Sequence, residues 1–182
     1  MRPTISGTVH RDAIASSPMN EDISYVELAS GFAYLAAIMD AWSRRIVGYG
    51  LDRKVDAHLV TATLQAAIAF SRLLQETVFH PNRGSVYVSK PHRKILKRYS
   101  FVSSVGRRGN PYDNAQAESL TKMLKVEAIY VASDETFENV AGHLPRFINE
   151  VYSETRLHSA RGYLSPARCE EINGPALVNT AA

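Results

Sequence analysis

"DISYVELASGFAYLAAIMDAWSRRIVGYGL", residues 22–51, is the stretch on which the fold turns. Its first seven residues include Ile23, Tyr25 and Val26, side chains that suit a pleated, half-buried surface. Ser30 and Gly31 turn the chain. Residues 32–51 then read as two apolar strands around a polar turn near Asp40–Arg44, a hairpin. Three strands in succession predict an antiparallel start to a sheet.

Downstream the pattern changes. Asp56 is placed to N-cap a helix over about residues 57–74. Leu59, Val60, Leu64, Ala67 and Ile68 give that helix a wide apolar face, suited to lying on a sheet. "ETVFH" (76–80) reads as a short buried strand. "SKPHRKILKRYS" (89–100) reads as a helix with basic residues outward and Ile95 and Leu96 inward, and "FVSSV" (101–105) as another short strand. "GNP" (109–111) opens the next helix, with Asn110 at the N-cap, Pro111 at the first position and Asp113 in a capping role. Over 133–152, Phe137, Val140, Ala141, Leu144, Ile148 and Val151 recur at helical spacing, with Pro145 expected to kink or split the helix.

Strands alternating with helices predict parallel pairing through right-handed crossovers. The expectation is an α/β domain with a mixed five-stranded sheet, three antiparallel strands then two parallel ones, flanked by helices. Residues 1–20 show no sustained period and are expected to be a poorly ordered arm. Residues 21–168 form the core domain with C-terminal helices, and 169–182 a tail.

The totals narrow the class. A chain of 182 residues fits one domain, and 45% apolar content suits an ordinary core. No apolar run approaches the ~18 residues of a membrane span, and the first residues carry no apolar signal segment. The single cysteine, Cys169, cannot form an internal disulfide. A cytoplasmic protein is expected by default. The net charge is only +3, but its distribution is uneven. Between Glu76 and Asp113 there is no acid, while Arg83, Lys90, Arg93, Lys94, Lys97, Arg98, Arg107 and Arg108 all lie there. A one-sign stretch of this kind is either a solvated face or a field that attracts polyanions.

In an open α/β sheet, ligands gather where neighbouring strands end and their connections diverge. Asp22 lies on the first of these strands and Asn82 at the end of the fourth. Glu118 lies one to two turns into the helix that Pro111 opens. Were the first and fourth strands adjacent, side chains 22 and 82 would be neighbours. Carboxylates that converge repel one another unless a cation joins them, and Mg²⁺ or Mn²⁺ suits oxygen ligands that also meet phosphate oxygens. Asn114, Glu118, Lys122 and Lys125 share one helix face. Taken alone, Glu118 and Lys122 are an ordinary surface pair worth a few tenths of a kcal/mol.

Four segments together carry a specific resemblance: "DISYVELASGFAYLAAIMDAWSRRIVGYGL", "HPNRGSVY" (80–87), "RRGNPYDNAQAESLTKMLKVE" (107–127) and "RLHSARGYLSP" (156–166). They resemble the integrase-core transposases of bacterial insertion sequences, related to retroviral integrases, over roughly residues 22–168. The most distinctive block is "GNPYDNAQAES" (109–119). The resemblance implies a ribonuclease H-like fold and a D, D, E triad with thirty-five residues between its second and third acids. Thirty-five residues separate positions 82 and 118 here, so Asp22, Asn82 and Glu118 fall on the three acids. It further implies metal held by Asp22 and Glu118, and DNA contacts from Arg107, Arg108, Asn114, Lys122 and Lys125. Homo-oligomers, or co-assembly with an intact transposase, are the expected protein partners, with no membrane and no small-molecule substrate.

The departures matter as much. The family reads His-Ser-Asp-Arg-Gly where residues 80–84 read His-Pro-Asn-Arg-Gly. Asn82 keeps the size of the acid but not its charge, so affinity for Mg²⁺ or Mn²⁺ is expected to fall. Ahead of Asp22 the family's apolar strand entry is replaced by "SSPMNE" (16–21), which suggests that half of the central strand is lost. No helix-turn-helix pattern precedes the core, so recognition of element ends is expected to come from elsewhere. The expected function is that of a metal-dependent DNA strand-transfer core, inactive or weakly active in this copy. The alternative is a non-catalytic remnant that binds DNA and self-associates. A ribonuclease-H-like nuclease is disfavoured by "GNPYDNAQAES". His80 is expected to hydrogen-bond its turn, and His158 is left between a DNA contact and a subunit contact.

Overall fold

A computed structural model describes residues 5–7, 17–29, 31–71, 76–82, 84–104, 111–130 and 136–173. The long central strands are β2 (Met19–Leu28), β3 (Gly31–Asp40) and β4 (Ile46–Asp52). They pair antiparallel, β2 with β3 along the full ten residues, from Met19 opposite Asp40 to Leu28 opposite Gly31. The polar turn is fixed by Asp40, whose Oδ1 accepts from the N–H of Trp42 at 2.8 Å and of Ser43 at 2.6 Å. A carboxylate that satisfies two turn amides makes the hairpin's end a local decision of sequence.

After the hairpin come α1 (Ala57–Phe70), β5 (Val78–Pro81), α2 (Lys90–Arg98) and β6 (Val102–Ser103). Asp56 caps α1, accepting from the amides of His58 and Leu59 at 2.9 and 3.2 Å. β5 pairs parallel with β2, and β6 pairs parallel with β5. The expected five strands are therefore present in the expected senses. A sixth, β1 (Ile5–Gly7), lies antiparallel to β4, giving the order β1-β4-β3-β2-β5-β6. The N-terminal arm thus contributes a strand. Among the described residues β2 meets β5 only at Met19–Glu21, so β2 is open on that side from Ile23 onward.

Strand alternation sends side chains to two cores. On one face, Val26, Ala33, Leu35 and Leu51 pack against Leu120, Leu124, Val140, Leu144 and Ile148 from α3 (Pro111–Met123), α4 (Phe137–Arg146) and their extensions. On the other face, Met19, Ile38 and Phe79 pack against Leu64, Ala67 and Phe70 of α1 and Leu96 of α2. Fully burying each of these Val, Leu, Ile, Met and Phe side chains contributes about 1.5–3 kcal/mol. α1 comes unusually near the sheet because β4 presents Gly48 and Gly50 beneath it. A Cβ on Gly48 would sit 2.7 Å from the Thr63 carbonyl oxygen and 2.8 Å from the Ala67 nitrogen. Both are backbone atoms of the helix and cannot move independently.

Two further expectations are corrected. "SSPMNE" does not shorten the central strand, because Met19, Asn20 and Glu21 are buried within β2. Met19 enters the apolar core, and the Asn20 Nδ2 donates to Gln116 Oε1 of α3 at 3.2 Å. The tail boundary at 169 falls inside α5 (Pro166–Asn173), where Cys169 and Glu170 are buried. Glu170 accepts from Ser43 Oγ at 3.0 Å and from Arg45 Nη1 at 3.2 Å, tying the last helix to the hairpin turn. The split expected at Pro145 takes the form of a change in helix type: α geometry ends at Arg146 and Phe147–Thr155 continue as wider π-helix. α3 likewise runs into a π-helical extension, Leu124–Tyr130.

Gly48→Ala is expected to lower stability by about 1–3 kcal/mol, read as a fall in the midpoint of chemical denaturation. Glu170→Ala removes one side of a buried ion pair and is expected to cost about 3–5 kcal/mol by the same measurement.

Candidate nucleic-acid site beside Asp22

The site is assembled by the parallel pairing of β2 and β5. Asn20 lies opposite His80 and Glu21 opposite Pro81, and the Asn82 amide extends the ladder by donating to the Glu21 carbonyl at 3.0 Å. That register puts side chain 82 next to side chain 22. The Asn82 Nδ2 donates to Asp22 Oδ1 at 2.7 Å. Asp22 is 3% exposed, and its second oxygen, Oδ2, accepts from Thr121 Oγ1 at 2.6 Å. The Thr121 oxygen also lies 3.2 Å from the Glu118 carbonyl, but one hydroxyl proton serves the shorter, charge-assisted bond.

Glu118 sits one helical turn before Thr121, with its side chain exposed. Positions 22 and 82 are therefore in direct contact, and α3, the helix that carries Glu118, is bolted to Asp22 through Thr121. Lys122 is exposed one turn after Glu118. Lys125 is half-buried and holds its Nζ 4.3 Å from the centre of the Tyr25 ring. Arg107 and Arg108 lie outside the described residues, as does the side chain of Asn114. His80 bonds across to the neighbouring strand rather than within its own turn, its Nδ1 lying 2.9 Å from Ser104 Oγ beyond β6.

Sequence reading missed the other side of the strand. Glu21 and His92 are both fully buried, with Oε2 and Nε2 3.4 Å apart. They are close enough to attract but not aligned for a hydrogen bond, so both Glu21 oxygens and His92 Nε2 lack one among the described residues. His92 Nδ1 lies 3.1 Å from the Tyr87 carbonyl oxygen, and the Tyr87 ring meets it edge-on. Burial, then the charges of Glu21 and Asp22, hold the Tyr87 phenol well above its ordinary pKa. Period-two alternation could have flagged Glu21, since a polar residue beside Asp22 must face the opposite core. Thr121 was visible only as a residue three positions after Glu118.

The donor set can be tested against a pair of divalent ions. Such ions need oxygen lone pairs. Both Asp22 oxygens already accept hydrogen bonds, and position 82 turns an N–H toward Asp22. The opposite amide orientation would set two acceptors against each other at 2.7 Å. Among the described residues, no three His, Cys, Asp or Glu side chains are grouped to hold a metal. These residues do not fit a two-ion centre.

Comparison with known proteins bears on this site. Two family models described as "Integrase core domain" match residues 19–111 and 101–166. The transposase of insertion sequence element IS904 from Lactococcus lactis is 31% identical over 94% of this chain and 68% of its own length. The transposase InsF of IS3A from Escherichia coli is 32% identical over 94% of this chain and 60% of its own length. The chain therefore spans about two thirds of the transposases it matches. Among solved structures, the catalytic core domain of BIV integrase aligns with a TM-score of 0.66 at 14% identity, over 91% of this chain and 100% of that one. The HTLV-2 integrase catalytic core domain in complex with magnesium aligns at 0.61 and 12% identity, over 87% of this chain and 98% of that one. At such identities the likeness is one of fold, the ribonuclease H-like architecture. The family-model matches and the identity to insertion-sequence transposases together make this chain a member of the integrase core domain family, in its bacterial insertion-sequence transposase branch.

Proposed function

We propose that this chain is a transposase core that holds DNA and joins strands far more slowly than its fold would allow, because Asn82 occupies the position of an acid. The observation that carries this reading is the 2.7 Å hydrogen bond from Asn82 Nδ2 to Asp22 Oδ1. In it a neutral donor occupies the carboxylate oxygen that a cation would otherwise meet. Asp22, Asn82 and Glu118 form the candidate reaction site, with Asp22 and Glu118 as its two remaining acids. Lys122 and Lys125, on the flank of α3 that bears Glu118, are the candidate backbone-phosphate contacts, along with Asn114, Arg107 and Arg108. Phosphate contacts of this kind position DNA without reading its sequence. The outer face of α2, with Arg93, Lys94, Lys97 and Arg98 all exposed, is a separate basic surface on the other side of the sheet.

The second reading, a remnant that binds DNA and self-associates without chemistry, draws on the same hydrogen bond. The two differ in whether restored charge restores reaction. Intact relatives would be its natural partners for mixed assembly.

Strand joining on pre-cut element ends, in Mg²⁺ and in Mn²⁺, separates them. Asn82→Asp is expected to exceed the natural chain by roughly a hundredfold or more, the scale of several kcal/mol of transition-state stabilisation. Equal rates would overturn the role given to Asn82. Activity in neither would favour the remnant.

Thermal unfolding gives an independent check. Asn82→Asp sets two carboxylates at hydrogen-bond distance, so without divalent ions its Tm is expected to fall by several degrees, at about 2–4 °C per kcal/mol for a chain of this size. Millimolar Mg²⁺ or Mn²⁺ is expected to reverse that fall while leaving the natural chain's Tm almost unmoved. A variant indifferent to both ions would contradict the proposed loss of a cation site.

A further inference from the structure

A pocket of about 220 Å³ opens on the other flank of α3. Gln116 and Ser119 line it, at helical positions turned away from Glu118, Lys122 and Lys125. Its opposite walls come from Arg44 in the hairpin turn and from Arg156, His158 and Ser159 in "RLHSARGYLSP". A water takes up about 30 Å³, so the space admits a phosphate group with water around it.

The charges around this pocket are unbalanced. Arg156 is paired with Glu127. Among the described residues no carboxylate pairs with Arg44 or with Arg161, which stands behind the pocket against Trp42 and the Ala41 carbonyl. The groups feel one another. Burial, then Arg161, depresses the Arg44 pKa, and burial, then Arg156, Arg44 and Arg161, depresses that of His158. The His158 Nε2 is buried and has no hydrogen-bond partner among the described residues. A cluster of like charges with open donors is relieved by an anion.

The backbone is also committed to this arrangement. Arg44 has φ of 68°, a left-handed conformation that costs a residue with a Cβ about 1–2 kcal/mol. Asn or Gly would suit the position better. The turn is held by Tyr152, whose hydroxyl donates to the Arg44 carbonyl at 2.7 Å. On the facing side, the His158 amide donates to the Leu164 carbonyl at 3.1 Å, and the His158 ring meets Tyr152 edge-on. Arg44 and His158, on the two walls, are thus both anchored to one tyrosine.

We infer that the pocket walled by Arg44, Arg156 and His158 is a second phosphate site, which holds a DNA backbone phosphate other than the one facing Asp22. α3 is about 10–12 Å across with its side chains, so one phosphate cannot reach both flanks. The site clamps DNA across α3, with Lys122 and Lys125 on one flank and the arginine pocket on the other. Ser119, Ser159 and Gln116 supply neutral donors that need no counter-charge. The inference rests on the DNA-binding reading above and goes beyond it by adding a site that the basic residues near Glu118 do not include.

The test is equilibrium binding of a fluorescein-labelled duplex by the full chain across a salt series, comparing the natural chain with Arg44→Asn and Arg44→Lys. Asn accepts the left-handed backbone while removing the charge. Arg44→Asn is expected to bind about tenfold more weakly near 0.1 M salt and to lower the slope of log K against log salt by about 0.9, the loss of one phosphate contact. Arg44→Lys is expected to keep the slope. A folded Arg44→Asn with the natural affinity and slope would overturn the inference while leaving the DNA-binding reading intact. No duplex binding by the natural chain would sink both. A second measurement needs no variant. The ring resonances of His158 are expected to move when duplex is added and to hold still at matched chloride. Resonances that ignore DNA, or that shift with protein concentration alone, would also overturn it.

Discussion

The short parallel ladder between β2 and β5 is the constraint from which the rest follows. It is only a few residues long, yet its register decides that side chain 82 meets side chain 22 rather than the solvent. A slip of one residue would send Asn82 to the opposite face of the sheet, since alternation leaves no intermediate choice. Thr121 then locks α3 to the same carboxylate from above. One buried acid, held at both oxygens, fixes the relative position of two strands and a helix.

That arrangement explains why a single amide is so consequential. Asn is close to Asp in shape, so the ladder, the buried strand and the α3 contact all persist. What changes is the sign of the group presented to Asp22. An acceptor that would repel becomes a donor that attracts, and the pocket becomes content without any further charge. Asp22 is thereby satisfied at both oxygens by neutral donors, Asn82 Nδ2 and Thr121 Oγ1.

Much of this was legible beforehand. Residues 22–51 announced their three strands through apolar runs and the Asp40 turn, and Asp56 announced α1 through its cap. The crossovers that make β2 and β5 parallel followed from alternation of strand and helix. What escaped was whatever depends on partners distant in sequence. "SSPMNE" looks too polar for a central strand, because nothing local tells that Asn20 will find Gln116 or that Glu21 will find His92. α5 looks like a tail, because Glu170 meets Ser43 and Arg45 more than a hundred residues away. β1 is only three residues long, below any pattern that periodicity can detect. Within the site, the spacing of 82 and 118 was readable, while Thr121 and the unbalanced arginine at position 44 were not.

The open side of β2 has a bearing on how such a chain lives in solution. Among the described residues the strand has no ladder partner on that side from Ile23 onward, beside exposed Tyr25 and Glu27, and a bare strand edge is a template for hydrogen bonding by another strand. Tyr25 projects away from α3, so Lys125 must pass round this edge to lie over its ring. An ammonium stationed there, with the Glu27 carboxylate two residues further along, sets charge of both signs on this edge, the kind of feature that disfavours edge-to-edge strand pairing.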